Sequence, residues 1–107
     1  MSTPYAVSQP TRTEIDAMAG IVALEFGTDW CGHCRAGAPF IAQAVGEAEL
    51  VRHIKVEDGS GRPLGRSFRV KLWPTLVILR DGKELARVVR PLDTAEVRAA
   101  FNDARQE

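Results

Sequence analysis

The sequence predicts an α/β protein with a central mixed β-sheet flanked by helices on both faces. Short apolar runs of strand length alternate with stretches of helical periodicity, which indicates parallel crossover connections. An Asp-Gly pair at 81–82 lies between two strand-like runs, which indicates a hairpin and an antiparallel edge. With 107 residues the chain has room for one hydrophobic core. We therefore expect a single domain over residues 1–107.

The first half of the chain predicts two helices and two strands. Thr11 and Glu14 have the spacing of a capping box, so a short helix should begin there and end before Gly20. An alanine-rich stretch with an apolar stripe predicts a longer helix, bent at Pro39. The predicted order is a helix from Thr11, a buried strand at 21–26, a helix at 33–47 and a strand at 51–56.

The second half predicts a hairpin followed by a terminal helix. Asp93, with Glu96 three residues later, has the pattern of a helix N-terminus. Beyond it, Val97, Ala100 and Phe101 recur at helical spacing and should face the core. The predicted elements are a short helix or turn at 62–69, strands at 75–80 and 84–90, and a helix from Asp93.

Charge and segment composition narrow the classes of function. Fourteen basic residues balance fourteen acidic ones, so no global field would attract nucleic acid or an anionic membrane. The amino terminus has no signal-peptide pattern, and no apolar run is long enough to span a membrane. We expect a soluble, cytoplasmic monomer with no nucleic-acid or membrane partner, unless a leader has been removed.

The two cysteines, Cys31 and Cys34, are separated by two residues at the predicted junction between a strand and a helix. A cysteine in the first turn of a helix is favoured as the thiolate, the nucleophilic form. A second cysteine one turn later lies on the same side and can attack a mixed disulfide formed at the first. This spacing predicts a dithiol–disulfide redox couple.

Two other functions for the cysteine pair stay open at this stage. A structural disulfide between them would close only a small loop and remove little entropy from the unfolded chain. A zinc site would need further ligands, and His33 and His53 are the histidines available. The chain has no second ligand pair at zinc-site spacing, which disfavours a zinc site, although ligands shared across a dimer would complete one.

Three motifs together resemble a thioredoxin-family domain over nearly the whole chain. They are Leu-Glu-Phe at 24–26, Trp-Cys-Gly-His-Cys at 30–34 with Pro39 behind it, and Trp-Pro-Thr at 73–75. The Gly-His pair between the cysteines is similar to that of protein disulfide isomerase domains, whereas thioredoxins usually carry Gly-Pro. The resemblance implies a thioredoxin-like fold.

The resemblance also implies roles for residues around the cysteines. Cys31 would be the attacking thiol and Cys34 the resolving one. Glu25 matches a buried acid beneath them, and burial in an apolar strand should raise its pKa and let it exchange a proton with Cys34. Lys55 aligns with a lysine that neighbours this acid and moderates its desolvation; the alternative is that Lys55 is an ordinary exposed strand residue.

The residues between and around the sulfurs are expected to tune them and to bind substrate. With Gly32, His33 forms the variable pair of the motif, and its imidazolium should favour the Cys31 thiolate. The expected substrate-binding residues are Trp30, which would cover the sulfurs, and Trp73, Pro74 and Thr75. The resemblance implies a cis bond before the proline, leaving backbone groups of the preceding residue free to pair with an extended substrate.

Three positions depart from the thioredoxin pattern. Gly27 stands where thioredoxins usually have a second tryptophan, Trp73 replaces a smaller aliphatic residue, and Arg90 replaces a loop glycine. These changes alter the docking surface more than the chemistry. An arginine in that loop could instead lie near the cysteines and stabilise the thiolate.

The resemblance implies a thiol–disulfide oxidoreductase that reduces protein disulfides and draws electrons from a reductase or glutathione. It implies no cofactor beyond the two thiols. An oxidase or isomerase is the alternative for an exported protein. A binding module of the same fold, with the cysteines incidental, is the alternative from another class.

Overall fold

The computed structural model describes residues 3–105, which form four helices and four strands. The first two and last two residues of the expected domain, 1–107, lie outside the described residues. The elements are α1 Arg12–Asp16, β1 Ile21–Gly27, α2 Gly32–Glu47, β2 Val51–Glu57, α3 Pro63–Ser67, β3 Thr75–Arg80, β4 Lys83–Val89 and α4 Thr94–Arg105. Each predicted element is present, with boundaries that differ by a few residues.

The four strands form one sheet in the order β2-β1-β3-β4. Strands β1 and β2 are parallel and are joined by α2, whereas β3 runs antiparallel to β1 and β4 antiparallel to β3. The predicted mixed sheet is confirmed. In this arrangement α2 begins beyond the carboxyl end of β1, one of the two central strands.

Alternate residues of β1 face two different apolar clusters. Ala23 packs with residues of α2 and α4, whereas Val22, Leu24 and Phe26 pack on the opposite face with residues of α1 and α3. Helices therefore cover both faces of the sheet, as predicted. Because side chains alternate along a strand, Glu25 lies on the same face as Ala23, towards α2.

Local hydrogen bonds explain where the helices and the hairpin begin and end. Both halves of the predicted capping box are present at the start of α1. The helix ends earlier than predicted: the Ala17 amide still bonds to the Thr13 carbonyl four residues back, but the Met18 amide bonds to the Ile15 carbonyl three residues back, at 3.1 Å. In the hairpin, Asp81 and Gly82 have φ of 52° and 82°. At Gly82 a Cβ would lie 2.1 Å from the Asp16 carbonyl oxygen, so only glycine fits.

A segment before α1 adds a short rung to the sheet. Ala6 forms a parallel bridge with Val56 of β2. Its amide donates to the Lys55 carbonyl, and its carbonyl accepts from the Glu57 amide, both at 2.9 Å. The amide of the preceding residue, Tyr5, donates to Asp29 Oδ1 at 3.0 Å. These bonds fix Tyr5 over the end of β1.

The longest helix, α2, has 16 residues. Among residues 3–105, no helix combines the length and apolar character that a bilayer crossing requires.

Candidate functional site

The two thiols lie at the amino-terminal end of α2. Cys31 is the N-cap residue, and its Sγ accepts a hydrogen bond from the Cys34 amide at 3.2 Å. Its sulfur therefore takes the place of a capping oxygen at the positive end of the helix dipole, which favours negative charge on it. Both cysteines are free thiols; Cys31 is 8% exposed and Cys34 is 1% exposed. Cys31 is thus the sulfur that a substrate can reach.

Cys34 is held in its protonated form. Burial raises the pKa of the Cys34 thiol to about 12, and its hydrogen bond with Cys31 acts in the same direction. Hydrogen bonds with the Thr28 backbone and, to a smaller extent, with the Tyr5 side chain lower this pKa. Since the thiolate is the nucleophile, a base must remove this proton before Cys34 can attack at neutral pH.

The reduction potential of the Cys31–Cys34 couple is expected to fall with pH well beyond the range of an ordinary dithiol. Ordinary thiols, with pKa near 9, lose their protons by about pH 10, and the potential then levels off. Burial keeps the Cys34 proton in place until about pH 12, so oxidation still releases at least one proton for two electrons. The potential should therefore fall by at least about 30 mV per pH unit up to about pH 11.

Equilibration with dithiothreitol buffers, followed by the fluorescence of Trp30 and Trp73, measures this slope. A potential that levels off near pH 9 would contradict it.

The raised pKa of Cys34 also makes the reduced protein lose stability as the pH rises from 9 towards about 12, because the unfolded chain releases the Cys34 proton first. The oxidised protein has no Cys34 thiol and serves as the control.

Glu25 lies in the interior beside α2, as its position in an apolar strand predicts, and is 1% exposed. Both of its carboxylate oxygens have partners. Oε2 accepts a short hydrogen bond from the Tyr5 hydroxyl, and Oε1 lies 2.9 Å from His53 Nε2. The imidazole of His53 reaches the surface, with 22% of its side chain exposed. The buried carboxylate is thereby connected to solvent through one histidine.

Tyr5 and His53 are site residues that the sequence did not predict in this role. The Tyr5 ring lies over Gly27, where a Cβ would be 2.8 Å from the phenol oxygen and 2.6 Å from Cys34 Sγ. One signal was available for Tyr5. Tyr5 is the only tyrosine in the chain, and Gly27 leaves a space where the thioredoxin pattern usually has a tryptophan. From the sequence, His53 is a candidate only as a zinc ligand.

The Lys55 ammonium bonds elsewhere than to the buried acid that the resemblance places beside it. The backbones of Lys55 and Glu25 are in register across β2 and β1. However, the Lys55 ammonium donates to the Thr3 carbonyl and lies 4.4 Å from the centre of the Tyr5 ring. Tyr5 covers this part of the sheet, so the lysine passes over the ring while the phenol hydroxyl and His53 contact the carboxylate.

The tryptophan of the third motif lies against the cysteines, and the proline lies over Gly37 of α2, where a Cβ would be 3.1 Å from its Cγ. The Trp73–Pro74 peptide bond is cis. Trp73 packs against the cluster of Tyr5, Cys31 and Cys34, and its indole N–H donates to Asp58 Oδ2 at 2.9 Å. These contacts place its ring at the border between the thiols and the surface.

Trp30 and Thr75 are placed differently from the prediction. Trp30 is 70% exposed and meets Trp73 edge-on, with ring centres 5.8 Å apart, so it lies at the rim of the site and does not bury the sulfurs. Thr75 is buried, and its hydroxyl donates to the Leu72 carbonyl at 2.6 Å. Its side chain shapes the loop from inside and is not part of a docking surface.

Arg90 is engaged with the backbone of this same loop. Its φ is 50°, a left-handed conformation that favours glycine, which accounts for the glycine typical of this place. Its Nε donates to the Trp73 carbonyl at 2.8 Å, and its amide donates to the Pro74 carbonyl at 3.0 Å. The guanidinium is therefore committed to the residue before the cis bond and not to the thiols.

The two residues between the cysteines face solvent. His33 is exposed in the first turn of α2, and a side chain added at Gly32 would meet nothing within 4 Å. Among residues 3–105, no group of three or more histidine, cysteine or acidic side chains converges as a metal site.

The chain is similar to thioredoxins in both sequence and fold. A family model described as thioredoxin matches residues 6–103. A thioredoxin of Chlamydia trachomatis is 36% identical over 66% of this chain and 70% of its own length. A thioredoxin H2-1 of Oryza sativa is 31% identical over 79% of this chain, which spans 61% of that relative. The structure of reduced thioredoxin 2 from Pseudomonas aeruginosa superposes on this chain with a TM-score of 0.85 and is 55% identical in sequence. The match covers 95% of this chain and 94% of that protein's chain.

Proposed function

The chain belongs to the thioredoxin family of thiol–disulfide oxidoreductases, and from that premise we propose that Cys31 and Cys34 are its redox couple and that it reduces protein disulfides in the cytoplasm. The observation that carries this proposal is the position of the two sulfurs. One caps α2 and is reachable, whereas the other is buried, protonated and 3 residues away in the same turn.

The reaction consists of two exchanges. The Cys31 thiolate attacks a substrate disulfide, forming a mixed disulfide and releasing one substrate sulfur as a thiolate. Cys34 then loses its proton towards Glu25 and attacks the Cys31 sulfur. The bond between Cys31 and the substrate breaks, and the substrate leaves with two more electrons than it brought. A reductase or a small thiol such as glutathione would return the Cys31–Cys34 disulfide to the dithiol.

The proposed docking surface consists of Trp30, Trp73 and Pro74. The protein is proposed to act as a monomer. An extended substrate would pair with the backbone of Trp73 beside the sulfurs. Here Arg90 already donates to the Trp73 carbonyl, so a substrate must share this acceptor or displace the guanidinium. This favours partners that bring their own acceptor for the arginine. His33, exposed beside Cys31, is proposed to stabilise the reduced state through its positive charge.

The native protein is expected to reduce insulin with dithiothreitol as the electron source, and Cys31→Ser should lower turnover to the rate without protein. Serine keeps the cap at the start of α2, but its hydroxyl remains protonated at neutral pH and does not exchange with a disulfide. The precipitation of the insulin B chain measures turnover. Equal rates for the two proteins would leave the chain a binding module and refute the proposed function.

A further inference from the structure

Four side chains form a continuous line from the buried thiol to solvent. The Cys34 sulfur and the Tyr5 phenol oxygen converge on the same point over Gly27, at 2.6 and 2.8 Å from where a Cβ would stand. The phenol donates to Glu25 Oε2, and Glu25 Oε1 lies 2.9 Å from His53 Nε2. Each neighbour in this line is a group that can give or accept a proton.

We propose that the Tyr5 hydroxyl carries the Cys34 proton to Glu25 in the resolving step, with His53 as the exit to solvent. The proposal rests on the function proposed above and adds a catalytic residue to it. It also accounts for Gly27, because any side chain there would separate the phenol from the sulfur or displace it.

The transfer balances as an exchange of two protons. As Cys34 S–H gives its proton to the phenol oxygen, the phenol gives its own proton to the Glu25 carboxylate. The Cys34 thiolate forms a bond to Cys31 Sγ, the bond from Cys31 to the substrate sulfur breaks, and the substrate leaves as a thiolate. Glu25 ends protonated and then releases the proton to solvent through His53. Tyr5 begins and ends as a neutral phenol.

A neutral phenol throughout fits its surroundings. Burial, and next the Glu25 carboxylate, raise the pKa of Tyr5 far above its usual range, so a free phenolate does not form. The other charged groups nearby are Lys55, Asp29 and Arg35, which line one cleft with Tyr5 and Cys34. The Lys55 ammonium lies over the ring, Asp29 Oδ1 accepts a hydrogen bond from the Tyr5 amide, and Arg35 Nε donates to the Asp29 carbonyl. None of the three lies between the phenol and the carboxylate in the hydrogen-bond pattern.

Water is the competing carrier. A cleft of about 190 Å³ beside Cys34 is lined by Tyr5, Thr28 and Lys55, among others. A water molecule there could take the Cys34 proton without the phenol. Removal of the phenol oxygen distinguishes the two routes, because it blocks transfer through Tyr5 and leaves transfer through water intact.

Tyr5→Phe is expected to slow the resolving step about 100-fold at pH 7, the low end of the range for a positioned acid–base group. The ring remains over Gly27, so packing is kept. Rapid mixing of the reduced protein with a model disulfide, acid quenching and mass spectrometry would measure the lifetime of the mixed disulfide. The first exchange, measured in the Cys34→Ser background, should have the same rate with and without the phenol.

The pH profile separates a proton carrier from a structural role. Hydroxide can deprotonate Cys34 directly, so the defect of Tyr5→Phe should shrink towards parity as the pH approaches about 11. Combining Tyr5→Phe with Glu25→Gln should be no slower than the slower single variant, because the two groups act in series. Thr28→Val is the matched control. It removes another buried hydroxyl near Cys34, one with no hydrogen-bond partner among the described residues, and should leave the rate unchanged.

A measurement on the native protein does not depend on how Tyr5→Phe folds. In mixtures of light and heavy water, transfer of two protons in the resolving step gives a curved dependence of rate on deuterium fraction, whereas one proton gives a straight line. A straight line, or equal resolving rates for native and Tyr5→Phe proteins, would overturn the relay. Insulin reduction by the native protein would still stand in that case, so the loss of the relay is distinguishable from failure of the proposed function.

Discussion

Cys34→Ser is expected to convert the protein into a trap for its substrates, with turnover in insulin reduction falling to the rate without protein. Cys31 keeps its cap position, and serine at 34 retains the backbone amide that donates to the Cys31 sulfur at 3.2 Å. The first exchange therefore proceeds. No thiol remains to attack the mixed disulfide, so covalent complexes accumulate until they approach one substrate per protein.

Non-reducing electrophoresis and mass spectrometry of the purified complexes would measure the accumulation and identify the cysteine that is bonded. Cys31→Ser is the control and should trap nothing, because the remaining thiol is buried and protonated. If Cys31→Ser trapped as much as Cys34→Ser, the assignment of attacking and resolving thiols would have to be reversed.

Gly27→Ala is expected to destabilise the reduced protein by about 3 kcal/mol, the upper end of the usual cost of overpacking a core. The added methyl group would lie 2.6 Å from Cys34 Sγ and 2.8 Å from the Tyr5 ring. The sulfur is held by α2 and the ring by the rung at Ala6, so neither can move without breaking hydrogen bonds. Chemical denaturation followed by circular dichroism measures the free energy of unfolding.

The chain offers a matched control in Gly46→Ala. Gly46 lies in α2, and a Cβ there would meet nothing within 4 Å. Alanine at an open helical position should stabilise the protein by about 0.5–1 kcal/mol. A Gly27→Ala protein as stable as the native one would show that Tyr5 is not fixed over the thiol. The relay would then lose its geometric basis.

The elements around the cysteines could be predicted because their signals are local. An apolar run followed by an alanine-rich periodic stretch places Cys31 at a helix start without any knowledge of the rest of the chain. Glu25 was predictable for a related reason, since a lone acid in an apolar strand must be buried. The same holds for the hairpin at Asp81, where two residues determine the turn.

The partners of Glu25 were not predictable because they depend on the tertiary structure. Tyr5 lies in a segment without periodicity, twenty residues before the acid it contacts. The pattern of β2 shows that Lys55 and His53 share a face with Glu25, but it does not show which one reaches the carboxylate. That choice is made by Tyr5, which covers the position that the lysine would otherwise occupy.

The bridge between Ala6 and Val56 has a consequence for the outer boundary of the sheet. Strand β2 is an edge strand, and unpaired backbone groups on such a strand are a template for adding a strand from another molecule. Ala6 occupies two of these groups, on Lys55 and Glu57. The rung that holds Tyr5 over Cys34 therefore also protects part of the edge against self-association. A local opening of this segment would uncover the thiol and the edge together, so oxidative damage and aggregation would begin at the same place.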